Sequence, residues 1–153
     1  LREIVLKKLK DINNQIKFNF FGVDNKQPIW AEDFKNELYK CKMALNLSQG
    51  SPLKYYSSDR IAQLIGNGIL TFIDVRTKLN KIFTNKEVIF YKDIKDLSKK
   101  IFKYKNSAYL RNKIAKNGMK KYHKYMNSEK VASFIIDSTF DTKFKKKYFW
   151  ENK

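Results

Sequence analysis

The run YYSSDRIAQLIGNGILTFID, residues 55–74, constrains this chain more than any other stretch. It reads in order as a polar loop, a helix start, a Gly-Asn-Gly break and an apolar strand. A hydroxyl at Ser57 or Ser58 is placed to accept from a first-turn amide that has no partner inside the helix. Ile61, Leu64 and Ile65 fall on one buried stripe, and Arg60, Gln63 and Asn67 fall on a second, polar one. Because the start of a helix is partly positive, its free amides together with Arg60 suit a phosphate group. Gly66 and Gly68 end the helix and permit close backbone approach, and ILTFI follows as a strand buried on both faces.

The remainder continues the same alternation. Residues 2–13 put Ile4, Val5, Leu9 and Ile12 on one helical stripe, and IKFNFF then alternates as a strand closed by Phe21 and Gly22. GVDNKQPIW is a loop by its Gly, Asp, Asn and Pro content. AEDFKNELYKC carries acids in its first turn and bases in its last, as the helix dipole favours, and MALNL follows as a short buried strand. Beyond the central run come a short helix near residues 78–83 and the strand EVIFY. From Ile94 to about Asp137 the pattern is helical, broken near Asn106 and Asn127, with Ser107 and Ser128 as expected caps. Four helix–strand alternations before a helical tail predict a Rossmann-like, three-layer α/β domain on a parallel sheet. In such sheets ligands bind beyond the carboxyl ends of the strands, which selects the loops GVDNKQPIW, SQGSPLKYYSS and residues 74–77.

A chain of 153 residues, 42% apolar, is long enough for one domain with a core and too short for two ordinary ones. No apolar run approaches the roughly 18–20 residues of a membrane span, and the first residues lack the series of a signal peptide. The chain begins at Leu1 inside a helical pattern and is expected to be a piece of a longer polypeptide. Cys41 is the single cysteine and His123 the single histidine, which gives neither a disulfide nor a zinc site. GxGxxG, GxxxxGK[ST] and HExxH are all absent, so nicotinamide binding, P-loop hydrolysis and zinc peptidase chemistry have no support, and no metal or cofactor is expected.

The net charge of +18 would attract phosphate-rich partners. Its lysines are spread through nearly every helix, in a background rich in Asn, Ile, Phe and Tyr, and no RNP1, KH, zinc-finger or helix-turn-helix signature accompanies them, which argues against nucleic acid. The terminal KFKKKYFW mixes bases with aromatics and suits contact with lipid headgroups or with the rest of the parent chain. Residues 1–137 are therefore expected as the domain and 138–153 as a basic aromatic tail, on a cytoplasmic protein touching the inner face of a membrane at its periphery.

Five segments, in this order, carry a family resemblance: FNFFGVDNKQPIW, MALNLSQG, the run of residues 55–74, EVIFYKDIKDLSKKI, and LRNKIAKNGMKKYHKYMNSEKVASFI. Together they resemble the C-terminal, donor-binding domain of GT-B glycosyltransferases, most closely the CgeB-like spore-protein type, from roughly Phe18 to Ile136. The resemblance implies transfer of a glycosyl group from a nucleotide-diphosphate sugar to an acceptor hydroxyl in glycan or polysaccharide synthesis. It also implies a partner N-terminal domain of the same chain, which would supply the acceptor site and any general base. The first strand of such a domain would precede Leu1. The fragment is thus expected to bind nucleotide without turnover, and to be marginally stable from unpaired strand edges.

Carried over residue by residue, the resemblance puts Ile29 and Trp30 at the nucleotide base and Ser48 and Gly50 on the phosphate or sugar side. Tyr55, Tyr56, Ser57, Ser58, Asp59 and Arg60 would meet the diphosphate and sugar, with Arg60 stabilising the departing diphosphate. Gln63 stands where many relatives carry a Glu that holds the ribose hydroxyls, and Tyr55 stands at the other acidic position of the common pattern, so both acids are absent. A neutral Gln still bonds a diol through its carbonyl and amide. Two other readings remain: a non-catalytic glycan or nucleotide binder, and a basic nucleic-acid-binding module.

Overall fold

The computed structural model describes residues 2–12, 15–23, 25–48, 50–56, 59–140 and 148–151. Among them are three strands, β1 (Met43–Asn46), β2 (Leu70–Asp74) and β3 (Ile89–Tyr91), and six α-helices. The helices are α1 (Arg2–Ile12), α2 (Ala31–Lys40), α3 (Asp59–Gly66), α4 (Ile94–Lys105), α5 (Ala108–Tyr125) and α6 (Ser128–Thr139). The strands form one parallel sheet in the order β1-β2-β3, with Met43 opposite Leu70, Phe72 opposite Ile89 and Asp74 opposite Tyr91. Parallel neighbours require crossovers, and helix-bearing connections leave β1 and β2 to provide them. This is the Rossmann-like arrangement the alternation predicts.

The central strand β2 is buried at every residue, as its unbroken apolar run requires. Its alternate side chains separate two cores. Leu70 and Phe72 join Ile89 and Tyr91 beneath Leu6 and Leu9 of α1 and Leu97, Ile101 and Tyr104 of α4. Ile73 joins Val88 and Phe90 beneath Ile61 and Ile65 of α3, with Tyr122 and Met126 packed against that cluster from the α5 end. Helices therefore cover both faces of the sheet.

The segment IKFNFF forms no strand; residues 17–20 run outside any ladder, so three strands stand where four were expected. Phe18 and Phe20 stack with ring centroids 5.6 Å apart and lie half-buried against the α1–α4 core. Alternation reports which side chains face the core, and this segment meets that requirement by packing alone, without backbone pairing. Gly22 then turns the chain at φ 70°, its amide donating to the Lys26 carbonyl at 3.1 Å.

The helix ends explain themselves locally. α3 stops at Gly68, in the left-handed region at φ 71°; its amide donates to the Ile65 carbonyl and that of Ile69 to the Leu64 carbonyl, each at 3.0 Å. α6 is capped by Asn127, which accepts from the Lys130 amide at 2.9 Å, so the capping role expected of Ser128 belongs to its neighbour. Ser107 stands at the α5 cap position without a side-chain cap bond. The serines expected to cap α3, Ser57 and Ser58, lie outside the described residues.

Beyond α6, the described residues 148–151 pack back on the helices. Tyr148 stacks with Trp150 at 5.5 Å and donates to the Asp137 carboxylate at 2.6 Å, while Phe149 stacks on Tyr125 at 4.7 Å.

Candidate functional site

Three parallel strands deliver their carboxyl ends to one edge of the sheet, and the loops leaving that edge line an open cleft. Leu47, Ser48, Gly50 and Pro52 line it from the β1 end, Asp74 and Arg76 from the β2 end, and Tyr91, Asp93 and Ile94 from the β3 end. Val5 of α1 adds a further apolar wall. Apolar walls with a few converging polar groups are what a small organic ligand requires.

Asp74 organises the β2 side. It is the last residue of the strand, only 6% exposed, and it accepts from the Arg76 amide at 2.8 Å, capping a single 3₁₀ turn at Val75–Thr77. The same carboxylate holds the Arg76 side chain: Nε reaches Oδ1 at 3.0 Å and Nη2 reaches Oδ2 at 2.7 Å. The hydrogen bond to Asp74, followed by the carboxylate's charge, raises the Arg76 guanidinium further above its already high range. The charge is fixed in place yet exposed, since 64% of the Arg76 side chain meets solvent.

Tyr91 lies opposite Asp74 in the ladder. Burial, reinforced by the Asp74 charge and partly offset by Arg76, pushes its phenol far above the usual range, so Tyr91 remains a neutral hydroxyl at any physiological pH. Asp93 caps α4, accepting from the Asp96 amide at 2.8 Å. Behind it the Lys100 ammonium is engaged with the Phe90 carbonyl at 2.7 Å and the Asp96 carboxylate at 2.8 Å.

The β1 and β2 loops are tied together. The Tyr55 amide donates to the Thr77 carbonyl at 2.7 Å, and the Thr77 hydroxyl donates to the Asp74 carbonyl at 2.7 Å. Tyr55 sits in the left-handed region at φ 60°, a conformation an aromatic residue adopts at a cost of about 1–3 kcal/mol, which its surroundings must hold. Arg60, in the first turn of α3, donates from Nη1 to the Leu47 carbonyl at 2.9 Å and so fastens the end of β1 to that helix.

Of the residues expected from sequence, Ser48 and Gly50 line the cleft. Arg60 stands behind its β1 wall, bonded to Leu47, and Tyr55 and Tyr56 are each 45% exposed on the loop between. Asp59 opens α3, and Gln63 lies half-buried one turn on, its backbone carbonyl accepting from the Asn67 amide group at 2.7 Å. Ile29 is half-buried and Trp30 is 73% exposed, at the entry to α2; neither belongs to the cleft lining. The loop of residues 74–77, whose Asp74 and Arg76 line the cleft, was legible as a loop at a strand end, whereas Tyr91 and Asp93 were not singled out. The available signal was Asp93, two residues after EVIFY, standing directly before the helical stripe that begins at Ile94.

Among the described residues no cluster of His, Cys, Asp or Glu is arranged to hold a metal ion, and no helix is long and apolar enough to cross a membrane. A parallel sheet flanked by helices, with its crevice at the carboxyl edge, defines a Rossmann-like domain. Residues 2–137 match the family model described as glycosyl transferase-like, and the chain belongs to that family. No curated protein and no solved structure gives a significant match.

Two features of the matched LRNKIAKNG stretch have a structural reason. Arg111 reaches back to the last carbonyls of α4, donating from Nη1 to Tyr104 at 2.9 Å and Lys105 at 3.3 Å. Gly118 lets α5 pass directly against the Glu87 carbonyl, where an added Cβ would collide.

Proposed function

We propose that this chain is the donor-binding part of a two-domain, GT-B glycosyltransferase of the CgeB-like kind, and that its cleft receives a nucleotide-diphosphate sugar. The observation that carries this reading is the cleft itself. In a member of a glycosyl transferase-like family, the loops at the carboxyl edge of a parallel sheet converge on one pocket, and Ser48 and Gly50 from the β1 loop are in its lining.

Glycosyl transfer breaks the bond between the sugar's anomeric carbon and the diphosphate oxygen and forms one to the acceptor hydroxyl oxygen, whose proton passes to a base. The diphosphate departs carrying the electron pair of the broken bond. In this reading the cleft contributes fixed hydrogen-bond donors to that group, which costs no reorganisation as charge develops. Arg60 contributes by holding Leu47, and with it the Ser48 loop, against α3. The acceptor and the base belong to another domain of the enzyme.

A non-catalytic binder of nucleotide or glycan is the second reading, favoured by what the resemblance implies: Gln63 and Tyr55 stand where many enzymes of that kind carry acids. Calorimetric titration with nucleoside diphosphates and nucleotide sugars, paired with a donor-hydrolysis assay on the full-length protein, tests both. Donor binding with hydrolysis is expected, and donor binding without hydrolysis favours the second reading. Salt-sensitive binding of nucleic acid, with no nucleotide binding, overturns the proposal.

A further inference from the structure

We propose that Arg76, held in place by Asp74, is the residue that meets the phosphate oxygens of the ligand at the mouth of the cleft; this deepens the donor-binding reading and rests on it. Arg76 is the one cationic side chain in the cleft lining among the described residues. The other candidates are occupied elsewhere: Arg60 on the Leu47 carbonyl, Lys100 on the Phe90 carbonyl and Asp96.

A donor count on the guanidinium gives the geometry. Asp74 takes the edge formed by Nε and Nη2, at 3.0 Å and 2.7 Å, with a further Nε contact to Oδ2 at 3.2 Å. Nη1 makes no hydrogen bond among the described residues, so the edge formed by Nη1 and Nη2 remains available to a second partner. A planar fork of two parallel N–H donors matches two oxygens of a phosphate group. Asp74 cancels much of the pair's net charge, so its contribution is orientation: a guanidinium pinned along one edge loses little further freedom when the other edge binds. Asp74 is therefore a positioning residue and Arg76 a ligand-contacting one.

The same geometry assigns the β2 end of the cleft to phosphate. The single 3₁₀ turn at Val75–Thr77, tied through Thr77 to the Tyr55 amide, prevents Arg76 from drifting away from Ser48 across the cleft.

The test is calorimetric titration of the chain and of its Arg76→Gln and Arg76→Lys variants with uridine, adenosine and guanosine diphosphates, the parent nucleosides and inorganic pyrophosphate. A nucleoside diphosphate is expected to bind the unmodified chain and to lose about tenfold or more in affinity with Arg76→Gln. Arg76→Lys keeps a cation beside Asp74 but lacks the fork, and should recover only part of that loss. The nucleosides should bind all three proteins equally weakly. Nucleoside diphosphate binding that Arg76→Gln leaves unchanged overturns the assignment of Arg76 while the donor-binding reading stands. Absence of any nucleotide or pyrophosphate binding to the unmodified chain overturns both. A thermal melt of Arg76→Lys that matches the unmodified chain, alongside its reduced affinity, separates a binding role from a structural one.

Discussion

Asp74 and Tyr91 are the last register pair between β2 and β3, and both side chains belong to the lining of the same cleft. Their pairing follows from the parallel ladder, which brings two strand ends level and lets residues far apart in sequence share one wall. Tyr91→Phe removes only the hydroxyl, and the ring stays packed with Leu97 and Phe72 in the α1–α4 core. The fold should survive with little change in melting temperature, while nucleoside diphosphate affinity falls about fivefold, the worth of one neutral hydrogen bond. Titration of the variant checks this.

Gly118→Ala should destabilise the domain strongly. The new Cβ would collide with the Glu87 backbone carbonyl, with the Ile65 side chain 3.3 Å away on the same side, so α5 must move off the sheet. A loss of about 1–3 kcal/mol is expected, seen as a thermal midpoint lower by several degrees.

Arg111→Met should also destabilise, by about 1–2 kcal/mol, through loss of the bonds to the Tyr104 and Lys105 carbonyls. The loss is moderated because the buried Nε of Arg111 has no hydrogen-bond partner among the described residues, and methionine removes that group as well. Denaturant titration reads the difference directly.

Acid should weaken the contact between α5 and the turn before β3. Burial works to raise the Glu87 carboxyl, but the Thr84 amide at 2.6 Å, the Thr84 hydroxyl at 2.8 Å and the Lys121 ammonium at 3.3 Å outweigh it and leave Glu87 below its ordinary value of 4.5. A carboxylate depressed in the folded state contributes stability that is fully present above its unfolded value and disappears as pH falls through the folded one. Thermal midpoints measured from neutral pH to below 4.5 should therefore fall less steeply for Glu87→Gln than for the unmodified chain. Parallel curves would show that Glu87 makes no such contribution.

The strands β1, β2 and β3 were legible because each is a short apolar run bounded by turn residues, and the helices because their stripes recur at helical spacing. Phe18 and Phe20 misled for a physical reason: period-two burial and backbone pairing are separate requirements, and only the first leaves a mark in the sequence. Asn127 and Ser128 are adjacent cap formers, and local pattern does not say which side chain reaches the free amide. In the cleft, Ser48, Gly50 and residues 74–77 were legible as loops at strand ends. Tyr91 and Asp93 were not, because their convergence on Asp74 depends on strand order and register. Nor could the spacing of Arg60 reveal that its guanidinium bonds the Leu47 carbonyl, since a polar helical stripe looks the same whether it faces a ligand, solvent or a backbone oxygen.

The most direct test of the proposal that the cleft receives a nucleotide-sugar donor is amide chemical-shift mapping of the chain during titration with a nucleoside diphosphate. Saturable shifts concentrated at Ser48, Gly50, Asp74, Arg76, Tyr91 and Asp93 are the predicted result. Shifts confined to α5 and α6, or none at saturating nucleotide, would contradict it.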